Sequence, residues 1–363
     1  MNRMKTLGYC SPLIPPEWIA AHGFEPRWLP WAREPGLIVA RPGRGLCPFA
    51  GQVADAVRAG VEVDAIVLTT TCDQMRRIAD LVEREGTQPV FLANIPVTWE
   101  TETSHDFYRD ELQRLGRWLI ALGGTAPTGS QLLSLCCRYE EARVALLAIR
   151  DGMTARQFSK AILALRSGDL ATPISEDQSK KLLAGEGDQS KKLPSPACRT
   201  RQDGRGAGSE GEGIQLGIPL AILGGPLVSQ DFDLFDLVEA AGGRVVLDAT
   251  DAGPRTLPAA LNRRQMDQDP LAALADAYFS AIPDVFRRPN DALYRWLAAE
   301  IDASGIRGIL FRRYVWCDLW HAELFRLKEW SPVPLLEIDV AGAEGSAQCR
   351  TSGRLEAFLE MLR

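Results

Sequence analysis

The sequence predicts an α/β protein built from two parallel-sheet domains, and three observations support this fold class. Short apolar strands alternate with helices in the first part of the chain and again from Ile214 onward. A helical stretch and a segment rich in Gly, Ser and charge separate these two parts. The two α/β parts also resemble each other in sequence. Strands separated by helices of roughly 10 to 15 residues form parallel sheets with crossover connections.

Residues 1–104 are predicted to form the first domain. Apolar runs such as DAIVLTT are typical of buried strands, and Pro near a helix start and Gly after its end mark helix boundaries. The predicted strands are residues 5–10, 35–40, 64–70 and 89–93, and the predicted helices are residues 15–23, 47–60 and 73–85.

The middle of the chain is predicted to contain a helical segment and an insert. Residues 105–174 have the apolar periodicity of amphipathic helices up to about residue 166. Residues 175–213 contain DQSKKL at Asp177 and again at Asp188, and have too few apolar residues for a core. We therefore predict that this insert is a flexible linker.

Residues 214–363 are predicted to form the second domain, because the alternation of strands and helices returns there. The predicted strands are AILGG and residues 244–249, 306–313 and 333–339, and the predicted helices are residues 232–243, 270–304, 321–330 and 353–363.

An internal repeat relates the two domains. GYCSPLIPPEWIAAHGFEPRWL and LGGPLVSQDFDLFDLVEAAGGRVVL both predict a strand, a turn, an acidic–aromatic helix and a second strand. A second alignment places Cys72-Asp73 on Cys317-Asp318, each at a strand-to-helix junction. A duplicated flavodoxin-like domain explains both matches, and the alternative is chance similarity between two ordinary strand–helix units.

Four cysteines are predicted to lie where a parallel sheet binds ligands, beyond the carboxyl ends of its strands. Cys10, Cys47 and Cys72 follow predicted strands or begin helices of the first domain, and Cys317 does so in the second. A helix N-terminus lowers the pKa of a thiol and so favours the metal-binding thiolate. We expect Cys72 and Cys317 to face each other across a cleft between the domains.

Composition and motifs exclude several other classes of function. The net charge of −6 argues against a nucleic-acid partner. No apolar run approaches the roughly 20 residues of a membrane helix, and no secretory signal is present, so we expect a cytoplasmic protein with reduced cysteines. Three histidines among 363 residues make a His-rich zinc or haem site improbable. No GxxxxGK[ST] motif is present, so any dependence on ATP must come from a partner.

Several motifs resemble the 2-hydroxyacyl-CoA dehydratase / benzoyl-CoA reductase family, which includes the D-component of 2-hydroxyglutaryl-CoA dehydratase. The resemblance covers nearly the whole chain apart from the insert. The motifs that carry it are YCSPLIPPEWIAAHGFEPRWL, GLCPFAG, VLTTTCDQMRRIADL, FLANIPVTWETETSHDFYRDELQRLGRWL, GILFRRYVWCDLWHAELFRL, LLEIDV and GRLEAFLE.

The resemblance implies an oxygen-sensitive protein of two flavodoxin-like domains around an iron–sulfur cluster. By position, the cluster ligands of the family correspond to Cys47, Cys72 and Cys317, which would leave one iron open to substrate. The resemblance also implies a separate ATP-hydrolysing activator that delivers low-potential electrons. It further implies a homodimer, or a heterodimer with a related subunit.

The chain contains more cysteines than three ligands require, and this favours the double-cubane branch of the family. Cys10, Cys349 and one residue of the Cys136–Cys137 pair, with Cys137 preferred, bring the candidate ligands to six. Six thiolates would hold an [8Fe-9S] cluster that reduces a small substrate. Cys198 lies in the insert and is the least suitable candidate.

Two alternatives remain at this point. The chain can be a subunit of a 2-hydroxyacyl-CoA dehydratase or benzoyl-CoA reductase with one [4Fe-4S] cluster, or a non-catalytic paralogue that relays electrons or serves as a scaffold. The sequence identifies neither the substrate nor a catalytic acid or base.

Overall fold

Two parallel β-sheets form the framework of the chain. The computed structural model describes residues 3–29, 45–58, 63–86, 88–171, 217–341 and 345–363, with the side chains of residues 345–350 left aside. The strands are β1 (Lys5–Tyr9), β2 (Phe24–Trp28), β3 (Ala65–Thr69), β4 (Val90–Ala93), β5 (Ile218–Gly224), β6 (Gly243–Ala249), β7 (Gly308–Tyr314) and β8 (Leu335–Val340).

Helices connect these strands and cover the sheets. In the first half of the chain they are α1 (Pro16–Ala21), α2 (Pro48–Arg58), α3 (Asp73–Glu85), α4 (Glu102–Ala121), α5 (Gly129–Ala148) and α6 (Ala155–Arg166). In the second half they are α7 (Asp233–Ala240), α8 (Arg263–Gln268), α9 (Pro270–Phe279), α10 (Asp291–Ser304), α11 (Asp318–Trp330) and α12 (Gly345–Leu362).

The two sheets have the same topology. The first has the strand order β2-β1-β3-β4 and the second β6-β5-β7-β8, with every adjacent pair parallel. Each strand of the first sheet therefore has a counterpart at the same position in the second. This confirms the predicted α/β class with two parallel sheets and agrees with the internal repeat.

Local sequence explains several helix boundaries. Thr128 and Thr154 each accept a hydrogen bond from the third backbone amide of the helix that follows, and Gln131 and Gln157 complete the two capping boxes. Helix α3 ends at Gly86, whose φ of 64° lies in the left-handed region that glycine adopts without strain. The predicted bounds of α3 agree with the structure.

The predicted helix at residues 270–304 differs from the structure, and two other predicted segments lie outside the described residues. Residues 270–304 were expected to be helical, but the structure has two helices separated by an irregular stretch from Ser280 to Asn290. Pro283 and Pro289 lie in that stretch, where the missing amide proton and the fixed ring oppose a continuous helix. The predicted strand at 35–40 and the insert at 175–213 lie outside the described residues, and the predicted domain boundaries stay a prediction.

One hydrophobic cluster contains buried residues of both sheets. Leu7 and Tyr9 of β1 belong to the same buried cluster as Leu220 and Ile222 of β5. The middle helices contribute to this core as well, for example through Leu132 of α5. Among the described helices, none combines the length and apolar character that crossing a membrane would require.

Candidate metal centre

A cavity of about 380 Å³ lies where residues from both sheets meet, and four cysteines line it. These are Cys10, Cys47, Cys72 and Cys317. The first three come from the first α/β part and Cys317 comes from the second. Strand ends and helix starts of both parts thus supply thiols to one space, as the sequence predicted.

The local fold explains how each thiol reaches the cavity. Cys10 directly follows β1, and Cys47 immediately precedes α2. Cys72 is the N-cap residue of α3, after β3, and Cys317 is the N-cap residue of α11, after β7. The equivalence of Cys72 and Cys317 in the sequence repeat therefore corresponds to the same structural position in both sheets.

Hydrogen bonds fix the position of Cys47. Its backbone amide donates to Oε1 of Gln74, on α3, at 3.0 Å. The Cys47 sulfur in turn accepts a hydrogen bond from the backbone amide of Ala50 at 3.4 Å. The contact with Gln74 ties the residue before α2 to the first turn of α3, the helix that Cys72 caps.

Burial dominates the electrostatics of these thiols. It raises the pKa of Cys10 to about 12, of Cys47 to about 11 and of Cys317 to about 12, and it also raises the pKa of Cys72. Backbone amides at the helix starts lower the pKa values of Cys47, Cys72 and Cys317, but less than burial raises them. The expectation of lowered thiol pKa values is therefore wrong for a site without metal.

The donors that line the cavity are not arranged to hold a single metal ion. In the described part of the chain, no three Cys, His, Asp or Glu side chains converge closely enough to hold one metal ion. A cluster of several irons can bind each thiolate through a different iron, so its ligands lie farther apart around a cavity. Thiolates are the usual protein ligands of iron–sulfur clusters. The donor chemistry and the cavity therefore fit such a group.

The other predicted ligands lie elsewhere or outside the description. Cys136, on α5, is fully buried in the hydrophobic core. Cys137 lies next to Arg263, whose Nη1 is 2.8 Å from the Cys137 sulfur, and it is absent from the cavity lining. The side chain of Cys349, on α12, and the whole of Cys198 lie outside the described residues.

Apolar side chains make up much of the remaining wall. Phe49, Met75, Val285, Phe286 and Trp320 are examples that contact the same space as the cysteines. The sulfur of Met75 lies 3.7 Å from that of Cys10. An apolar wall lowers the local dielectric and limits the access of water to a bound group.

Two aspartates in the cavity wall were not singled out from the sequence. Asp251 follows β6, and Asp284 lies in the irregular stretch before α10. Both contact the buried guanidinium of Arg255. The available sequence clue was the position of Asp251, two residues beyond the end of a predicted strand, which is where the cysteines were sought.

The backbone beside Cys317 is strained. Trp316 has a φ of 67°, and it is the one non-glycine residue with positive φ in the described part of the chain. Its side chain is 64% exposed, so packing does not compensate for this conformation. Unusual backbone geometry of this kind is concentrated at functional sites.

Fold and site together define a two-part α/β protein with a cysteine-lined cavity where the parts meet. The family model described as "2-hydroxyglutaryl-CoA dehydratase, D-component" matches residues 13–362. The chain therefore belongs to this family, as the sequence motifs predicted, and the family implies a dehydratase-type enzyme component. Iron–sulfur clusters are characteristic of the family. A comparison with curated proteins finds no significant match.

Proposed function

We propose that the chain is the cluster-bearing component of an iron–sulfur dehydratase of the 2-hydroxyacyl-CoA type. In this proposal, Cys47, Cys72 and Cys317 hold one [4Fe-4S] cluster in the cavity. The observation that carries the proposal is the convergence of thiols from both α/β parts on one cavity. The cluster would supply one-electron chemistry and an iron without a protein ligand, at which substrate can bind.

The three thiolates act by holding the cluster between the two parts of the chain. Cys72 and Cys317 occupy equivalent helix starts, so their backbone amides favour the deprotonated, metal-binding form. Cys47 is positioned by its contact with Gln74. Three protein ligands would leave one iron of a four-iron cluster without a thiolate.

The cavity wall would orient substrate and exclude water. Phe49, Val285 and Phe286 supply apolar surface, while Arg76 and Arg288 contribute positive charge to the lining. The cavity volume of about 380 Å³ is at the small end of the range of ligand pockets, roughly 300 to 1,000 Å³. We therefore propose that only the acyl end of a thioester enters the cavity, with the nucleotide outside.

The proposed partners follow from what the chain lacks. An electron donor is needed to reduce the cluster, and the sequence contains no P-loop with which to couple that step to ATP. We propose an ATP-hydrolysing activator with its own cluster, and assembly as a homodimer or with a related subunit.

A double-cubane reductase is the second candidate, and one observation favours it. Cys10 is a fourth cavity thiol, one more than the three-ligand cluster uses. The position of Cys137 beside Arg263 argues against the set of six ligands that an [8Fe-9S] cluster would use. The position of Cys137 therefore favours the [4Fe-4S] proposal over the double-cubane interpretation, which was based on the number of cysteines.

Iron and acid-labile sulfide per chain, measured on anaerobically reconstituted protein, test the proposal. We expect about four irons in the wild type and in the Cys10→Ala variant. About eight irons, falling in Cys10→Ala, would instead support the double cubane. Absence of iron would contradict both and favour a scaffold without a cluster. A bound cluster without turnover, when activator and reductant are present, would favour an electron relay.

A further inference from the structure

The cavity wall contains a buried ion-paired group that the proposed ligands do not use. Arg255 is completely buried and lies between Asp251 and Asp284, both of which line the cavity. Its Nη2 contacts Oδ1 of Asp251, and its Nη1 lies 3.1 Å from Oδ2 of Asp284. The side chains of the two aspartates are 14% and 15% exposed.

The remaining donors of Arg255 are also occupied, which fixes the guanidinium. Its Nε donates to the backbone carbonyl of Ala249 at 3.0 Å, and its Nη1 donates to that of Pro283 at 2.7 Å. A guanidinium with all its arms engaged holds the neighbouring carboxylates in a defined geometry.

The backbone of Asp251 is fixed as firmly as its side chain. Its amide donates to the carbonyl of Gly225 at 3.3 Å. Its carbonyl accepts hydrogen bonds from Nη1 of Arg166 at 2.6 Å and from the hydroxyl of Thr256 at 3.1 Å. Arg166 ends α6, so the middle helices help to position this residue of the cavity.

The two aspartates differ in how their oxygens are used. Both carboxylate oxygens of Asp284 accept hydrogen bonds, one from Arg255 and one from the amide of Phe286 at 3.1 Å. Asp251 uses only Oδ1, and within the described residues nothing donates to its Oδ2. Asp251 can therefore take up a proton on Oδ2 without losing its contact with Arg255.

We propose that Asp251 is the proton-carrying residue of the cavity, a role that rests on the proposed cluster site. When a low-potential one-electron donor reduces the cluster, Oδ2 of Asp251 takes up one proton from solvent. The electron from the donor would remain with the bound cluster, and the proton would remain on Oδ2 of Asp251 in a new O–H bond. A proton is thereby stored beside the site of reduction, where either the loss of a hydroxyl group or the addition of hydrogen would consume it.

The charges around Asp251 agree with this role. The pKa of Asp251 is raised to about 6: burial is the main cause, the neighbouring Asp284 also raises the pKa, and Arg255 and Arg166 oppose the rise. Cys317 would be bound to iron, and Cys10, with a pKa of about 12, stays protonated, so neither thiol titrates near neutral pH. An added electron on the cluster raises the pKa of a nearby carboxyl.

The test is the pH dependence of the midpoint potential of the reconstituted cluster, titrated with dithionite from about pH 5 to about pH 9. We expect the wild-type potential to fall as the pH rises through the region in which Asp251 gains its proton on reduction. The Asp251→Asn variant should have a potential that does not depend on pH. Asp73→Asn is the matched control, since Asp73 also lines the cavity but is 85% exposed, and it should keep the wild-type slope.

A pH-independent potential in the wild type, or an unchanged slope in Asp251→Asn, would overturn the role of Asp251. If Asp251→Asn does not retain iron, Asp251→Glu is used, which keeps a carboxyl but moves it by one methylene. If the pH range in which the midpoint potential of Asp251→Glu depends on pH differs from that of the wild type, the result supports the proposal. An unchanged range contradicts it. Failure of the wild type to bind iron would instead contradict the proposed cluster site.

Discussion

At the scale of single residues, the cavity thiols combine burial with proximity to helix starts. Burial raises the pKa of Cys47 to about 11 and that of Cys317 to about 12. In a metal-free site, both thiols are therefore protonated at neutral pH. Ligation requires thiolates, so binding of the cluster must release these protons. The free energy of cluster binding therefore depends on pH.

We predict that cluster loading increases with pH. Each released proton makes binding more favourable as the pH rises, up to the pKa of the free thiol. The measurement is iron per chain after anaerobic reconstitution with limiting iron and sulfide at about pH 7 and about pH 9. A ferredoxin reconstituted in the same mixtures corrects for the pH dependence of the reagents. Equal loading of this chain relative to the ferredoxin at both pH values would contradict the prediction.

Trp316 permits a second test at this scale. Its left-handed backbone costs a residue with a side chain about 1 kcal/mol, and its indole is largely exposed. Trp316→Gly should therefore raise the free energy of unfolding by about 1 kcal/mol in urea denaturation. Phe325→Gly is the control, because Phe325 is 75% exposed on α11 and glycine inside a helix should lower stability. A lower free energy of unfolding in Trp316→Gly would contradict the claim that the backbone at Trp316 is strained.

Sequence reasoning predicted the cavity cysteines, with differing success by position. Cys10, Cys47, Cys72 and Cys317 could be placed because strand ends and helix starts of a parallel sheet share one edge. The position of Cys137 could not be predicted in this way, because the direction of its side chain depends on which face of the helix packs inward. In α5 the buried position is Cys136, and Cys137 points to Arg263.

At the scale of elements, a buried polar group joins three helices. Glu17 of α1 is fully buried and contacts Arg143 of α5, while the hydroxyl of Tyr278 on α9 donates to Glu17 at 2.7 Å. Removing one member of a buried pair leaves an uncompensated charge, which is costly. This group therefore constrains how α1, α5 and α9 pack.

We predict that Arg143→Met lowers the free energy of unfolding by about 3 to 5 kcal/mol, because Glu17 loses its cation. The double change Glu17→Gln with Arg143→Met should recover part of this loss, since a neutral amide can still accept from Tyr278. Urea denaturation measures both. Arg109→Met is the exposed control: its pair with Asp106 lies on the surface of α4 and should contribute less than about 1 kcal/mol. Equal losses for the buried and exposed pairs would contradict the argument.

The elements themselves were predictable where local chemistry determines their ends. The bounds of α3 followed from a strand–Cys-Asp junction at one end and Gly86 at the other. The break between α9 and α10 was not predicted, although Pro283 and Pro289 mark it in the sequence. The Asp251–Arg255–Asp284 group was missed for another reason: Asp284 reaches Arg255 only through the tertiary fold.

At the scale of the whole molecule, the two sheets are parts of one folded unit. They share a hydrophobic core, and polar contacts cross between them. The indole of Trp99 donates to the carbonyl of Pro289 at 2.7 Å, and the side chains of Gln52 and Gln230 are hydrogen-bonded at 3.0 Å. The repeat predicted two similar sheets, but not this mutual packing, which depends on contacts between residues far apart in sequence.

We predict that both sheets unfold in one transition, since a shared core cannot be exposed on one side alone. Hydrogen exchange followed through a urea series should show the amides of β1 and β5 losing protection at the same denaturant concentration. Two separate midpoints, one for each sheet, would contradict a common core.

The measurement that most directly tests the central claim is the iron content of single-cysteine variants from each α/β part. Cys72→Ser removes a proposed ligand from the first part and Cys317→Ser removes its counterpart from the second, while Cys137→Ser is the control outside the cavity. If both parts hold one cluster, Cys72→Ser and Cys317→Ser should each lose most of their iron after anaerobic reconstitution. Cys137→Ser should keep the wild-type content. Retention of iron in either of the first two variants, or its loss in the third, would contradict the account.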